Sequence, residues 1–232
     1  MFELVLFDLD GTLIDTAPEI ADAVNALLAE RGLPCVEEAL VRDWIGHGTR
    51  ELMRAALAAS LRRAALAPER APALDALMPA FSRHYLAHCG RRSRVFADVE
   101  PTLDALRLAG VRTAVVTNKE ERYAYAVLDA HRLRDYLDLV ICGDTLAAKK
   151  PDPLPAAHCM HRFRVAPERT LLVGDSEVDV ATARAAGIRV WAVPYGYNRG
   201  RPIASAGADR IIESIAEVAR SLQGERAAAR VS

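Results

Sequence analysis

The sequence lacks the features of disulfide-bonded, membrane-spanning and nucleic-acid-binding proteins. Its four cysteines, Cys35, Cys89, Cys142 and Cys159, show no C-x-x-C spacing, so we expect reduced, buried thiols in a cytoplasmic protein. No apolar run is long enough to span a bilayer. A net charge of −1 provides no global positive field for nucleic acid. The first apolar run, at residues 4–7, is short and flanked by acids, which is unlike a signal peptide.

The length and composition that remain are ordinary for a soluble globular protein. The 232 residues are 51% hydrophobic and 26% charged, which suits one large domain or one domain with an insertion. About a hundred residues separate the first strand from the next convincing one at 112–116, far more than a crossover connection needs. This interval is rich in helical sequence. We therefore expect a helical cap domain over residues 16–88, inserted into a core of residues 1–15 and 89–232.

The expected cap contains several helix signals. Thr16 and Glu19 have the spacing of a capping box, which predicts that the first cap helix begins there. Further helices are expected over Thr49 to Arg63 and Leu74 to His88, which are rich in alanine, leucine and arginine. The cap is thus predicted to be all helical.

After the cap, strands and helices alternate along the chain. Strands are expected at residues 112–116, 138–142, 170–173 and 188–193, and helices at 101–109, 119–130, 153–164, 177–186 and 212–222. This alternation predicts an α/β protein with a doubly wound, Rossmann-like parallel sheet. In such a sheet the carboxyl ends of the strands form the edge at which ligands bind.

The most informative segment, Asp8-Leu9-Asp10-Gly11-Thr12, follows the first apolar run directly. It places Asp8 at the end of a buried strand and Asp10 in the loop just beyond it. Two acids this close repel each other, so the pair implies either a bound cation or a shared proton. Mg²⁺ would suit a few carboxylates together with phosphate oxygens and water. The alternative for this motif alone is a strand that ends in a solvated turn.

Three further segments follow in the chain: Val115-Val116-Thr117-Asn118, Lys150-Pro151-Asp152-Pro153 and Leu172-Val173-Gly174-Asp175-Ser176-Glu177-Val178-Asp179. They add a hydroxyl group, an ammonium group and a second acidic pair, all expected at the same edge of the sheet. Together with the opening motif, and in the same order, the four segments resemble those of the haloacid dehalogenase-like phosphatases. The resemblance implies a Rossmann-like core with a cap.

This resemblance also implies a reaction. Asp8 would attack phosphorus and form an aspartyl-phosphate, because phosphatases of this family use the first acid as a nucleophile. Asp10 would protonate the leaving alcohol and later deprotonate the hydrolytic water. Mg²⁺ would be held by the carboxylates of Asp8 and Asp175 and by the carbonyl of Asp10.

Four other residues receive roles by the same resemblance. Thr117 and the backbone N–H of Asn118 would bind phosphate oxygens, and Lys150 would add a positive charge and orient the nucleophile. Asp179 would be a water-mediated metal ligand or a partner of Lys150. Structural alternatives are that Thr117 caps a helix and that Asp179 favours the first turn of its own helix. Lys149 is expected to be a solvated surface residue.

Several related activities use similar motifs. A dehalogenase needs no metal and usually lacks the second acid, so Asp10 argues against that activity. A phosphonatase of this type would use a cap lysine to form a Schiff base, but residues 16–88 contain no lysine. A sugar-phosphate mutase keeps all four motifs and stays open.

Two segments, Trp44 to Arg50 and Val193 to Gly200, resemble those of bacterial phosphoglycolate phosphatases. The expected substrate is therefore 2-phosphoglycolate, a small phosphorylated metabolite. The alternatives are another phosphomonoester, such as N-acetylmuramic acid 6-phosphate or a sugar phosphate, and a phospho-accepting regulatory protein without turnover. No nucleic acid or membrane partner is expected, and the oligomeric state stays open.

The cap is expected to recognise the carboxylate of this substrate. Gly46 and Gly48 would let backbone N–H groups approach the anion, and His47 or Arg50 would donate as cations. Where His47 stands, the resembled phosphatases often have asparagine. The structural alternative is an ordinary turn at a helix start, with Arg50 in solvent.

Overall fold

The computed structural model describes residues 1–67 and 72–229. In this part of the chain the strands are β1 (Leu4–Phe7), β2 (Ile14–Asp15), β3 (Arg94–Val95), β4 (Arg112–Val116), β5 (Leu139–Ile141), β6 (Thr170–Gly174), β7 (Arg189–Ala192) and β8 (Arg210–Ile211). Six of them pair in parallel in the order β5-β4-β1-β6-β7-β8. The other two, β2 and β3, form a small antiparallel pair. The expected parallel sheet is confirmed.

The α-helices of the described residues are α1 (Ala17–Glu30), α2 (Glu38–Trp44), α3 (Thr49–Arg63), α4 (Leu74–His88), α5 (Val99–Leu108), α6 (Glu121–Ala130), α7 (Leu154–Phe163), α8 (Glu177–Ala186) and α9 (Ala216–Ala229). Among these described helices, none has the length and apolarity needed to cross a membrane.

Strand β1 lies at the centre of the sheet and is buried on both faces. Its side chains alternate between the faces, as the pleat of a strand requires. Val5 and Phe7 join an apolar cluster with residues of α5, α6 and α9. Leu4 and Leu6 join a second cluster, with residues of α7 and α8. This double burial explains why the segment is a continuous apolar run.

Helices α1 to α4 follow one another between β2 and β3, and we call residues 17–88 the helical insert. The buried side chains of the insert, including Leu27 and Met53, form an apolar cluster of their own. Two aromatic residues from outside the insert, Tyr123 and Tyr197, belong to the same cluster. The insert is therefore packed against the rest of the molecule.

The start of α1 corrects one expectation. Thr16 and Glu19 do not form a capping box, because neither side chain bonds to the helix terminus. Glu19 is buried, and its carboxylate accepts hydrogen bonds from the backbone N–H groups of Gly90 and Ser93, at 2.8 and 3.1 Å. The hydroxyl of Thr16 donates to Asp10 instead. Both side chains thus make tertiary contacts in place of the local ones.

Element boundaries agree closely where the sequence signal is long. Helices α3, α4 and α8 and strand β4 have the predicted limits, and β5, β6, β7, α5, α6 and α7 differ by one or two residues at an end. The last helix begins at 216 instead of 212 and continues to 229. The short elements α2, β2, β3 and β8 were not predicted, because two to seven residues carry too little periodicity.

All four cysteines are free thiols. Cys142 and Cys159 are buried, and burial raises the pKa of each to about 12. Cys89 is partly exposed and Cys35 is exposed, so the expected burial is wrong for Cys35.

Candidate active site

Three buried polar residues follow the central strands of the sheet directly. Asp8 follows β1, Thr117 follows β4, and Asp175 follows β6. Because β4, β1 and β6 are neighbours and parallel, their carboxyl ends bring these side chains to one edge. The chemistry-bearing residues identified in the sequence therefore share a single site.

Asp8 is paired with a lysine. The Nζ atom of Lys150 lies 2.8 Å from Oδ1 of Asp8, and both side chains are buried. Burial raises the pKa of Asp8 to about 7, and the neighbouring Asp179 and Asp10 act in the same direction, while Lys150 opposes the rise. Asp8 thus bears a charge that its surroundings only partly compensate.

Asp179 holds this lysine in place. Its Oδ1 atom is 2.6 Å from Nζ of Lys150. Its Oδ2 atom accepts hydrogen bonds from the hydroxyl and the backbone N–H of Ser176, which caps α8 in a reciprocal capping box. Burial would lower the pKa of Lys150, but Asp179 and Asp8 outweigh it and raise the pKa. Of the three roles considered for Asp179, the contact with Lys150 and the contact at the start of its own helix are present together, and the water-mediated metal contact stays a prediction.

Asp175 is the second buried acid at this edge. Oδ1 of Asp175 accepts a 2.9 Å hydrogen bond from the hydroxyl of Thr12, and Oδ2 accepts one from the backbone N–H of Tyr197. Burial, followed by Asp8 and Asp179, raises the pKa of Asp175 well above its usual range. The carboxylate is therefore fixed in position but short of positive charge.

Asp10 lies beside a different cation. Nζ of Lys119 is 2.8 and 3.1 Å from the two carboxylate oxygens of Asp10, and the hydroxyl of Thr16 donates to Oδ1 at 2.6 Å. The ammonium also donates to the hydroxyl of Tyr85, which belongs to α4 of the helical insert. Burial would lower the pKa of Lys119, but Asp10 outweighs it and raises the pKa.

The loop after β4 connects the edge of the sheet to the insert. The Nδ2 group of Asn118 donates to the carbonyls of Gly46 and Lys150, both at 2.9 Å. The hydroxyl of Thr117 accepts a hydrogen bond from the backbone N–H of Lys119 at 3.2 Å. Helix α6 begins only at residue 121, so Thr117 is not its N-cap.

A small cavity of about 30 Å³ lies between the sheet edge and the insert. Its described walls come from both parts of the molecule: Asp8, Asp10, Thr117, Asn118 and Lys119 from the sheet edge, and Ile20, Ile45, Gly46, Gly48, Thr49, Leu52 and Tyr85 from the insert. The space adjoining the acids is therefore mostly apolar on the side of the insert.

The family model described as haloacid dehalogenase-like hydrolase matches residues 5–193, a range that contains Asp8, Asp10, Thr117, Lys119, Lys150, Asp175 and Asp179. The chain belongs to the haloacid dehalogenase-like hydrolases. The resemblance identified from the motifs is thereby confirmed.

Relatives within this family extend over nearly the whole chain. A phosphoglycolate phosphatase of Thiobacillus denitrificans is 41% identical over 216 residues, which are 93% of this chain and 93% of the relative. A plasmid-encoded phosphoglycolate phosphatase of Cupriavidus necator is 44% identical over 211 residues, covering 91% and 89%. The crystal structure of a predicted phosphoglycolate phosphatase from Haemophilus somnus is similar with a TM-score of 0.89, at 32% identity, and covers 95% of this chain and 98% of that one.

Phosphatases among the haloacid dehalogenase-like hydrolases typically use Mg²⁺, and the acids here fit such an ion. Asp8, Asp175 and Asp179 bring carboxylate oxygens within 4.8 Å of one another in a buried setting. Asp179 already contacts both Lys150 and Ser176, so Asp8 and Asp175 are the carboxylates that would hold such an ion. Burial disfavours the charged form of both carboxyl groups, so a bound divalent cation would stabilise their negative charges.

Neither of the cationic residues expected to bind the substrate carboxylate, His47 and Arg50, is among the described residues that line the cavity. The guanidinium of Arg50 is exposed on α3 and paired with Asp75, and it is not among the described residues that line the cavity. Burial, followed by Arg199, lowers the pKa of His47, which favours the neutral imidazole. Gly46 does line the cavity, as expected, so the turn approaches the site through its backbone.

Sequence reasoning missed the pairing of Lys119 with Asp10, although the composition contained a signal. Of the 30 lysine and arginine residues in the chain, only three are lysines: Lys119, Lys149 and Lys150. Lys119 and Lys150 are buried at the site, and the exposed Lys149 donates to the backbone carbonyl of His47 beside it. In this arginine-rich chain, the three lysines therefore all lie at or beside the candidate site.

Proposed function

We propose that this protein is a Mg²⁺-dependent phosphatase that hydrolyses 2-phosphoglycolate to glycolate and phosphate. Relatives named phosphoglycolate phosphatase share about 40% of their residues with it over nearly its whole length, which supports this substrate. The observation that carries the proposal is the small cavity between the acids of the sheet edge and the helical insert. We propose that residues 16–88 act as a cap that encloses the substrate.

The size of the cavity favours a small leaving group. At about 30 Å³ the cavity is small, and small cavities favour compact groups. After the phosphoryl group is placed on Asp8, the rest of 2-phosphoglycolate is a two-carbon acid, which is a compact leaving group. An amino sugar is far larger, and its binding would require the insert to move away from the sheet edge.

The first half of the reaction uses two acids. A carboxylate oxygen of Asp8 attacks phosphorus while the bond to the glycolate oxygen breaks, and Asp10 gives its proton to that oxygen. Lys150 neutralises charge on the phosphoryl oxygens and keeps Asp8 oriented for in-line attack. Thr117 and the backbone N–H of Asn118 donate hydrogen bonds to the same oxygens.

The second half regenerates the enzyme. Asp10, now deprotonated, takes a proton from water, and the resulting hydroxide attacks the phosphorus of the aspartyl-phosphate. The bond between phosphorus and Asp8 breaks, which releases phosphate. The carboxylates of Asp8 and Asp175 and the carbonyl of Asp10 would hold Mg²⁺, which supplies positive charge against the repulsion between nucleophile and phosphate.

The test is a phosphate-release screen across metabolite monophosphates, with and without Mg²⁺. We expect the highest kcat/KM with 2-phosphoglycolate and no turnover in excess EDTA. A higher kcat/KM for N-acetylmuramic acid 6-phosphate or a sugar phosphate would overturn the substrate assignment. Full activity in excess chelator would overturn the metal requirement. A stable phosphoprotein that releases no phosphate would instead favour the regulatory alternative.

A further inference from the structure

Lys119 has no role in the proposed reaction, yet it lies inside the cavity. Among the cavity-lining residues in the described part of the chain, Lys119 is the only lysine or arginine. Its side chain is 2% exposed, and its ammonium contacts Asp10 and the hydroxyl of Tyr85. A buried cation that faces a substrate cavity is a natural receptor for an anionic group.

The chemistry of the position favours an ammonium group. Lysine is rare in this chain, and arginine is the usual basic residue. An ammonium is a compact point charge with three donors, whereas a guanidinium is a planar fork with a fixed direction. Lys119 already directs donors at both carboxylate oxygens of Asp10 and at Tyr85, a divergent arrangement that a planar fork could not reproduce in the same space.

We propose that the carboxylate of the substrate binds the ammonium of Lys119. This inference rests on the proposed function, since it names the residue that recognises the carboxyl end of 2-phosphoglycolate. The ammonium lines the cavity beside Asp10, so a carboxylate that enters the cavity meets a buried cation there. A phosphomonoester without a carboxylate offers no partner for this contact.

The test compares 2-phosphoglycolate with ethyl phosphate, which has a methyl group in place of the carboxylate. In Lys119→Met the kcat/KM for 2-phosphoglycolate should fall at least about 30-fold, the usual effect of removing one partner of a buried charge pair. The kcat/KM for ethyl phosphate should fall much less, because that substrate has no carboxylate for Lys119 to bind. A purely structural role would lower both values together.

The decisive quantity is the ratio of the two kcat/KM values. A tenfold or greater fall of this ratio in Lys119→Met supports the inference, and a smaller change overturns it. If the native enzyme itself shows no preference for 2-phosphoglycolate, the proposed function fails; if the preference exists and survives in the variant, only the role of Lys119 fails. Lys119→Gln, measured in the same way, replaces the methionine variant if circular dichroism shows that it does not fold.

Two further variants make the comparison specific. Lys149→Met removes the neighbouring exposed ammonium, which donates to the backbone carbonyl of His47, and should leave the ratio within about threefold of native. Arg50→Met removes the exposed guanidinium on the insert. A tenfold fall of the ratio in Arg50→Met, with none in Lys119→Met, would mean that the insert reads the carboxylate and would overturn the inference.

Discussion

The ammonium of Lys150 lies between two carboxylates, 2.8 Å from Asp8 and 2.6 Å from Asp179. Asp179 is itself fixed by Ser176 at the start of α8. Asp8, the proposed nucleophile, is therefore oriented through a chain of contacts that begins at a helix terminus. Such pre-organisation matters because small errors in the position of a reacting group are costly in rate.

Replacement of the nucleophile gives the clearest test of the proposed chemistry. Asp8→Asn should lower kcat by several orders of magnitude, because an amide cannot form the acyl-phosphate. Phosphate release from 2-phosphoglycolate measures the loss. The circular dichroism spectrum should stay native, which serves as the control for folding. Substantial turnover in a clean preparation of this variant would contradict the assignment of Asp8.

Asp10→Asn should behave differently in kind. The amide cannot deprotonate water, so a phosphoenzyme formed from an activated aryl phosphate should accumulate and decay slowly. Intact-protein mass spectrometry of the quenched reaction would detect the added phosphoryl group. Hydrolysis at the native rate would show that another group acts as the acid and base.

Asp175→Asn should mainly affect the use of metal. The variant keeps the shape of the side chain but loses one negative charge, so the Mg²⁺ concentration for half-maximal rate should rise, and a higher concentration should recover part of the activity. A titration with Mg²⁺ at saturating substrate measures this change. An unchanged Mg²⁺ dependence would remove Asp175 from the proposed metal ligands.

The sequence predicted these acids because strand ends and short motifs are local features. For the substrate carboxylate it predicted His47 or Arg50, whereas Arg50 is exposed on α3 and Lys119, the receptor that we propose, lines the cavity. That difference depends on how the helical insert packs over the sheet edge. Tertiary packing of this kind cannot be predicted from the residue spacing within any one segment.

At the scale of elements, the loop after β7 connects the site to the insert. Tyr197 donates its backbone N–H to Asp175, and its hydroxyl accepts from the N–H groups of Thr16 and Ala17 at 2.9 and 3.0 Å. The same hydroxyl donates to Asp15. One residue thus contacts both a proposed metal ligand and the first turn of the insert.

A matched pair of variants separates these two contacts. At Gly196 an added Cβ would overlap the side chain of Asp175, so Gly196→Ala should displace that carboxylate and raise the Mg²⁺ requirement. Tyr197→Phe keeps the backbone N–H but removes the hydroxyl, so it should cost about 1 to 3 kcal/mol of stability with little change in Mg²⁺ dependence. Urea unfolding and Mg²⁺ titration of both variants test this separation. Equal Mg²⁺ dependence in the two variants would contradict it.

The elements themselves were predictable in proportion to their length. The periodicity of α3 and α8 extends over several turns, and both have the predicted limits. The pairing of β2 with β3 joins residues far apart in the chain, and no local sequence pattern predicts it. Glu19 shows the same limitation. Its local spacing fits a capping box, but its buried carboxylate accepts hydrogen bonds from the backbone of Gly90 and Ser93, just after the insert.

At the scale of the whole molecule, an aromatic cluster packs the insert against helix α6. Phe81 and Tyr85 of α4 contact Tyr123 of α6, with ring centroids 6.4 and 4.4 Å from that of Tyr123. Tyr85 also contacts Lys119, so the packing of the insert and the polar contacts of the site share one residue. Loosening this cluster should therefore affect both stability and activity.

Phe81→Ala tests that coupling. Removal of a buried aromatic ring typically costs about 3 to 5 kcal/mol, which urea unfolding would measure. We also expect a lower kcat/KM for 2-phosphoglycolate at temperatures where the variant is fully folded, because Tyr85 loses a packing partner. Leu222→Ala in α9, in the cluster on one face of the sheet, is the control and should destabilise without this loss of activity. Native kcat/KM in folded Phe81→Ala would argue against the coupling.

The pairing of β2 with β3 places the entry and the exit of the insert side by side, with Ile14 opposite Val95 and Asp15 opposite Arg94. A segment whose two ends meet can be exchanged by recombination without moving the scaffold that receives it. A chimera that receives a foreign insert would keep its phosphoryl chemistry and acquire a new limit on substrate size. Lys119, the proposed receptor of the substrate carboxylate, stays with the scaffold. Such a chimera would therefore inherit its preference for acidic substrates from the parent of the scaffold and its limit on substrate size from the parent of the insert.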